Sequence, residues 1–195
     1  MMAHGVGVAI CQVANSLASA GKRRLRRTLY HLAAIIGTVQ EERTSTDLAM
    51  MRRALLAARS ASERGEVPVG AVVARDGRVL AVAANERESR GDPTAHAELL
   101  ALRQAARTLD GWRLTGCTLY STLEPCPMCA GAAQAARIER LVYATPDPKA
   151  GYAGTLHNTP ADARLNHTIA TEKGLLEAEA AELLHIFFRD RRKKP

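Results

Sequence analysis

Aromatic residues, cysteines and long apolar runs are all scarce in this chain. Aromatic side chains make up 4% of the 195 residues, which excludes a surface built from rows of stacking rings. Four cysteines are too few and too widely spaced for the disulfide framework of a small secreted protein. No apolar run reaches the roughly 20 residues that a membrane-spanning helix needs. We therefore expect a cytoplasmic protein without a membrane partner.

Acidic residues are missing from residues 1–40, whose only charged residues are five basic ones between Lys22 and Arg27. That segment supplies most of the net charge of +7. The most basic run in the rest of the chain is at its end, from Arg189 to Lys194. A basic balance favours a polyanionic partner such as nucleic acid, although most basic tails are simply solvated.

Residues 1–46 are interpreted as a basic N-terminal extension, disordered or dispensable, and residues 47–195 as one domain. Two alternatives stay open for the extension. It resembles a targeting segment, because basic residues precede the apolar stretch 29–39, but no convincing cleavage site follows. It is equally compatible with translated sequence upstream of the true start.

The pattern of residues 47–195 predicts strands that alternate with helices, and therefore an α/β layered domain. A first helix is expected to begin at Thr46-Asp47 and to stop at Gly65. An Asp76-Gly77 turn is expected to join two strands, and Pro93 suits the first turn of a second helix. Further strands are predicted at residues 117–123, 140–144 and 167–171. The last helix is amphipathic, and six apolar residues are expected to pack on the sheet: Leu175, Leu176, Leu183, Leu184, Phe187 and Phe188.

Two cysteines three residues apart, Cys126 and Cys129, stand at the predicted start of a short helix in the sequence LEPCPMCAG. On a first helical turn both sulfurs face the same way, and the helix dipole favours their thiolate forms. A catalytic zinc ion takes three protein ligands and keeps a fourth position open for water. His96, which also lies near a predicted helix start, is the candidate third ligand.

Glu98 is predicted to act as a general acid and base rather than as a metal ligand. A carboxylate beside a zinc-bound water can take its proton and deliver it to a substrate. In the middle of a helix, residues two apart point to nearly opposite sides. The prediction therefore requires that His96 and Glu98 lie at the N-terminal end of their helix.

Other interpretations of this group stay open at the level of the residues alone. A redox dithiol would need neither His96 nor Glu98. A fully structural zinc would need a fourth protein ligand, for which Cys117, His157 and His167 are the candidates. An RNA-binding module that zinc stabilises without catalysis would need no spare carboxylate at Glu98.

The order H-A-E followed by P-C-P-M-C matches the signature of zinc nucleobase deaminases. Around it, from about Asp47 to Arg192, the chain resembles the bacterial tRNA-specific adenosine deaminases. The resemblance is carried by Asn85 and by five segments: EVPVGAVV, DPTAHAELLALR, TLYSTLEPCPMCAGA, RIERLVYATPDPKAGYAG and LNHTIATEKGLL.

This resemblance implies a cytidine-deaminase-like three-layer α/β/α sandwich with a mixed central sheet, usually found as a homodimer. It implies one Zn²⁺ per subunit, bound by His96, Cys126 and Cys129, with Glu98 as the proton shuttle. It also implies that three polar residues contact the nucleotide. Asn85 hydrogen-bonds the target base, while Asp147 and Asn166 line the nucleotide channel. The simpler alternative for Asn85 and Asp147 is a turn-forming role after a strand.

The implied reaction is the hydrolytic deamination of adenosine to inosine at the wobble position, 34, of tRNA. Zinc hydroxide attacks C6 of adenine while Glu98 protonates N1, and the partner is the anticodon stem-loop, where the base is already outside a duplex. A deaminase of a free base or nucleoside, guanine or cytidine, is the alternative function, because such enzymes share the zinc motif.

Overall fold

A mixed sheet of five strands lies at the centre of the fold. The computed structural model describes residues 44–192, so the predicted extension 1–46 lies almost entirely outside the described residues, as do Lys193 and Lys194. The chain divides into two units, Met1–Asp47 and Leu48–Pro195, and the sheet belongs to the second. Its strands are β1 (Gly70–Arg75), β2 (Arg78–Ala84), β3 (Cys117–Leu123), β4 (Arg140–Thr145) and β5 (Ala170–Lys173).

The strand order is β2-β1-β3-β4-β5. Strand β1 is antiparallel to both of its neighbours, whereas β4 is parallel to β3 and β5. This arrangement confirms the prediction of an α/β fold with a mixed sheet. Because β2, β3 and β4 run in one direction, their carboxyl ends meet at the same edge, where open α/β sheets bind their ligands.

Helices cover both faces of the sheet and make three layers. They are α1 (helical through residues 44–63), α2 (Arg87–Arg90), α3 (Ala97–Thr108), α4 (Pro127–Ala135) and α5 (Glu177–Arg191). One buried cluster joins α3 and α4 to the sheet through Leu100, Ala133 and Val73. A second cluster joins α1 and α5 to the opposite face. Within residues 44–192, no helix is long and apolar enough to cross a membrane.

The Asp76-Gly77 turn between β1 and β2 is confirmed. Both residues have positive φ angles, 51° and 72°, which is the conformation of a two-residue type I′ hairpin turn. Arg75 pairs directly with Arg78 across it, so the turn sets the register of the hairpin.

Two predicted helix starts are wrong. The chain is already helical at residue 44, so Thr46 and Asp47 lie within α1. Both residue types occur in a first helical turn as well as at an N-cap, so they locate a helix start only to within a few residues. Pro93 lies in a turn before α3, where the Asp92 carboxylate accepts hydrogen bonds of 2.7 Å from the backbone N–H and the hydroxyl of Thr94. The helix begins four residues after Pro93, and His96 is its N-cap residue.

The C-terminal part of the chain differs from the prediction in two places. Strand β5 begins three residues later and ends two residues later than the predicted 167–171, because this exposed edge strand has no alternating apolar pattern that would fix its position. In α5, Phe187 is buried, but Phe188 is 43% exposed and lines a pocket together with Leu184. Leu175, Leu176 and Leu183 pack against the sheet as expected.

Gly70 at the start of β1 explains why helix and strand approach so closely. A Cβ atom built on this residue would lie 2.0 Å from the carbonyl oxygen of Ala54 in α1, so no larger residue fits without displacing the helix. The glycine of the VPVG segment therefore fixes the packing of α1 on the sheet.

Candidate active site

Two helix N-termini meet at the carboxyl edge of the sheet and bring together the predicted metal ligands. His96 is the N-cap residue of α3, and Cys126 is the N-cap residue of α4. The Nδ1 atom of His96 lies 3.6 Å from the Sγ atoms of both Cys126 and Cys129. The three ligand atoms all lie within 4.8 Å of one another.

These distances fit a tetrahedral zinc ion. With Zn–S bonds of about 2.3 Å and a Zn–N bond of about 2.0–2.1 Å, tetrahedral angles separate sulfur from nitrogen by about 3.6 Å. Among residues 44–192, His96, Cys126 and Cys129 form the one group of His, Cys, Asp or Glu side chains that could hold a metal ion. The group supplies three ligands and so leaves the fourth position of a tetrahedron open.

The candidates for a fourth ligand of a structural zinc lie elsewhere. Cys117 is buried at the start of β3, and its thiol faces the carbonyl oxygen of Thr115. The Nε2 atom of His167 is 2.6 Å from the carbonyl oxygen of Ile138. The ring of His157 stacks at a tilt on Tyr152, 5.5 Å between centroids.

Glu98 is the second residue of α3 and is 3% exposed, beside the metal ligands but outside their group. His96 and Glu98 lie at the N-terminal end of their helix, as the prediction required. The backbone of His96 is still extended, with ψ 146°, so both side chains line the same pocket. Burial raises the pKa of Glu98 to about 7, which keeps the carboxyl near the point of proton exchange at neutral pH.

The two thiols have pKa values that move in opposite directions. A hydrogen bond from Cys129 lowers the pKa of Cys126 to about 4. The same bond, together with burial, raises the pKa of Cys129. Ligation by both sulfurs therefore requires that the Cys129 proton is lost.

Asn85 follows β2 directly, is 4% exposed and lines the pocket. Its Nδ2 atom donates a 3.1 Å hydrogen bond to Glu66, which is fully buried between α1 and β1. Glu66 also accepts from the backbone N–H groups of Glu88 and Ser89 in α2, at 3.2 Å and 2.7 Å. Because a carboxylate accepts only, Glu66 fixes which end of the Asn85 amide faces it.

Asp147 lines the pocket and also forms a turn. One oxygen of its carboxylate accepts hydrogen bonds from the backbone N–H groups of Lys149 and Ala150, at 2.8 Å and 3.1 Å. Asp147 therefore borders the pocket and also stabilises a turn after β4.

Asn166 does not line the pocket, contrary to what the resemblance implied. The residue is exposed, and its Oδ1 atom accepts hydrogen bonds from Arg137 at 2.7 Å and from Gln134 at 3.2 Å. These bonds tie the segment before β5 to the end of α4. The structure thus brings together six of the seven predicted site residues and leaves Asn166 outside.

The pocket has a volume of about 840 Å³, enough for a nucleoside with part of its neighbours. Its floor consists of His96, Glu98 and Cys126, and the buried Cys129 lies behind them in the ligand group. We call Asn85 with Arg87 the first wall and residues 146–150 the second wall. The sequence did not assign the remaining side to a site. There α5 contributes Leu184, His185, Phe188 and Arg189, and Arg192 follows the helix directly. In the sequence, only the mixture of apolar and basic residues in the last helix indicated that this helix could border the pocket.

The sequence and the fold match known deaminases. Residues 44–145 match the family model described as the cytidine and deoxycytidylate deaminase zinc-binding region. The tRNA-specific adenosine deaminase of Bacillus subtilis is 47% identical over 144 residues, which cover 74% of this chain and 89% of that protein. The chain belongs to the cytidine and deoxycytidylate deaminase family.

Two further deaminases support the same relationship. The tRNA-specific adenosine deaminase of Agrobacterium fabrum is 46% identical over 73% of this chain and 93% of its own length. A solved structure from a study of A-to-I editing by tRNA:A34 deaminases at the wobble position is 46% identical, with a TM-score of 0.68. It covers 70% of this chain and 99% of its own.

A guanine deaminase from Nitrosomonas europaea shares the family fold at a greater distance. Its structure is 26% identical, with a TM-score of 0.64, and covers 72% of this chain and 83% of its own. This guanine deaminase therefore shares the fold at 26% identity, whereas the two tRNA-specific deaminases named above are 46–47% identical to this chain.

Proposed function

We propose that this deaminase family member converts adenosine to inosine at the wobble position, 34, of tRNA. One observation carries the proposal: three ligands with an open fourth position lie beside a buried glutamate that is not a ligand, within a pocket that basic residues border. The identity of 46–47% with tRNA-specific adenosine deaminases supports tRNA as the substrate.

One Zn²⁺ per subunit would be held by His96 Nδ1 and by the sulfurs of Cys126 and Cys129. When bound, this ion acts as a Lewis acid that lowers the pKa of a coordinated water molecule. The two helix N-termini support the site, because their dipoles favour the two negative thiolates.

Glu98 moves the protons of the reaction. Its carboxylate takes a proton from the attacking water and delivers it to N1 of adenine as the C6–O bond forms. Glu98 then transfers the second proton of that water to the leaving amine, so adenosine and water give inosine and ammonia. The burial of Glu98 keeps bulk water from competing for the carboxylate.

Asn85 would hydrogen-bond the edge of the target base, with Asp147 bordering the same channel. The basic residues Arg87, Lys149, Arg189 and Arg192 line the pocket and are suited to phosphates of the anticodon loop. The proposal includes a homodimer in the cytoplasm, which the family resemblance implies. It also keeps the predicted N-terminal extension outside the catalytic domain, apart from residues 44–46, which already belong to α1.

The test offers purified protein a tRNA with unmodified A34, free guanine and cytidine in parallel, with mass spectrometry of the products. We expect inosine from the tRNA alone. The KM for tRNA should rise about tenfold or more between 50 and 200 mM salt, because phosphate contacts release counterions. Consumption of guanine without inosine in the tRNA would instead favour the second candidate, which the Nitrosomonas europaea structure represents.

A further inference from the structure

Glu124 is a buried residue of the LEPC segment to which the reaction gives no role. It lies between the end of β3 and Cys126 and is 1% exposed. Its backbone N–H donates to the carbonyl oxygen of Thr145 at the end of β4, at 2.9 Å. Within residues 44–192, no Lys, Arg or His forms a recorded ion pair with its carboxylate.

Four hydrogen bonds satisfy this carboxylate, and all come from the loop that follows β4. One oxygen accepts from the backbone N–H groups of Ala153 at 2.9 Å and Thr155 at 3.0 Å. The other accepts from the N–H of Asp147 at 3.1 Å and from the hydroxyl of Thr155. A single side chain thus holds both ends of the segment 147–155.

The same loop closes over the carboxylate at Gly151. A Cβ atom on this residue would lie 2.3 Å from Oε2 of Glu124 and 2.6 Å from the carbonyl oxygen of Asp147, so a side chain has no room. The next residue, Tyr152, donates its backbone N–H to the carbonyl oxygen of Pro125 at 2.9 Å. The loop is therefore attached to the chain immediately before the first cysteine ligand.

The first part of this loop is the second wall of the pocket. We propose that Glu124 is a positioning residue that sets the place of the second wall relative to the metal ligands, and thereby determines binding of the RNA substrate. The proposal rests on the proposed function for its substrate. Glu124 itself borders the pocket, but its carboxylate is buried and bonded to the loop. It therefore acts through the loop, and its contribution belongs to KM rather than to the chemical step.

A glutamine cannot replace this carboxylate. Each oxygen faces two donors, so the NH₂ group of a glutamine would meet donors in either orientation. In Glu124→Gln we expect KM for an A34 anticodon stem-loop to rise roughly tenfold, with a smaller change in kcat and with zinc content equal to that of the wild type. Loss of zinc with an unchanged KM would overturn the proposal, since Glu124 would then serve the metal site.

A second pair of variants tests the same inference from the loop. Gly151→Ala should raise KM in the same direction, because its Cβ displaces the loop from Glu124. The matched control is Gly131→Ala in α4, where nothing lies within 4 Å of the added Cβ, and its KM should equal that of the wild type. If Glu124→Gln fails to fold, Gly151→Ala decides the question, and an unchanged KM in that variant contradicts the proposal.

Hydrogen–deuterium exchange gives a readout that does not depend on the substrate. The amides of Asp147, Ala153 and Thr155 should exchange faster in Glu124→Gln, while those of α3 should keep their wild-type rates. If the wild type makes no inosine, the proposed function fails, yet this measurement still tests the anchor. Unchanged exchange in the loop would refute the role of Glu124.

Discussion

The floor of the pocket and its walls both depend on buried glutamates, but these carboxylates have different environments. Glu98 in the floor is 3% exposed, and burial raises its pKa to about 7. Glu66 behind the first wall is fully buried as well. Burial alone would raise its pKa, but the N–H groups of Ser89 and Glu88 outweigh that effect, and the pKa is lowered.

This difference separates Glu98, which can exchange protons, from Glu66, which holds the structure. A buried carboxylate that several backbone N–H groups satisfy stays ionised and fixes the atoms around it. One with few donors keeps its proton within reach of neutral pH and can transfer it. Burial of a glutamate therefore does not identify a catalytic residue, whereas its hydrogen-bond partners do.

The largest loss of activity is expected for a substitution in the floor of the pocket. In Glu98→Gln the shape is kept but the proton acceptor is lost, so kcat should fall by about 10²- to 10⁴-fold. Zinc content, measured by elemental analysis, should stay at the wild-type value because Glu98 is not in the ligand group. Appreciable residual deamination would exclude Glu98 as the proton shuttle.

A smaller loss of activity is expected for a substitution behind the first wall. In Glu66→Gln only one oxygen remains as an acceptor, so an NH₂ group must face either Asn85 with Glu88 or Ser89. The orientation of the Asn85 amide is then no longer fixed, and kcat/KM for the stem-loop should fall about tenfold while zinc content stays unchanged. Glu63→Gln is the matched control, because Glu63 is exposed at the end of α1, three residues before Glu66, and the variant removes an equal charge. Equal activities in the two variants would show that Glu66 does not orient Asn85.

The smallest effect is expected outside the pocket. Asn166→Ala removes surface hydrogen bonds to Gln134 and Arg137, so kcat/KM should stay within about twofold of the wild type. A loss as large as that of Glu66→Gln would return Asn166 to the substrate channel. Steady-state kinetics on the same stem-loop make the three variants directly comparable.

The sequence predicted the parts of this protein that depend on short-range spacing. The Asp76-Gly77 turn, the strand 117–123 and the position of His96 at a helix start all follow from neighbouring residues. The anchors were not predicted, because Glu66 meets Asn85 nineteen residues away and Glu124 meets Thr155 thirty-one residues away. Such pairs depend on the packing of the whole domain, as does the side of the pocket that α5 forms.

Because the second wall is attached to the Glu124 carboxylate, the sequence of the loop 147–155 can change without loss of its attachment. The segment 147–155 contacts Glu124 mainly through backbone N–H groups, which every residue except proline supplies. Its side chains can therefore diverge while the anchor and Gly151 are kept. We therefore expect that grafting a loop of equal length alters substrate preference and leaves the metal-binding half of the protein untouched.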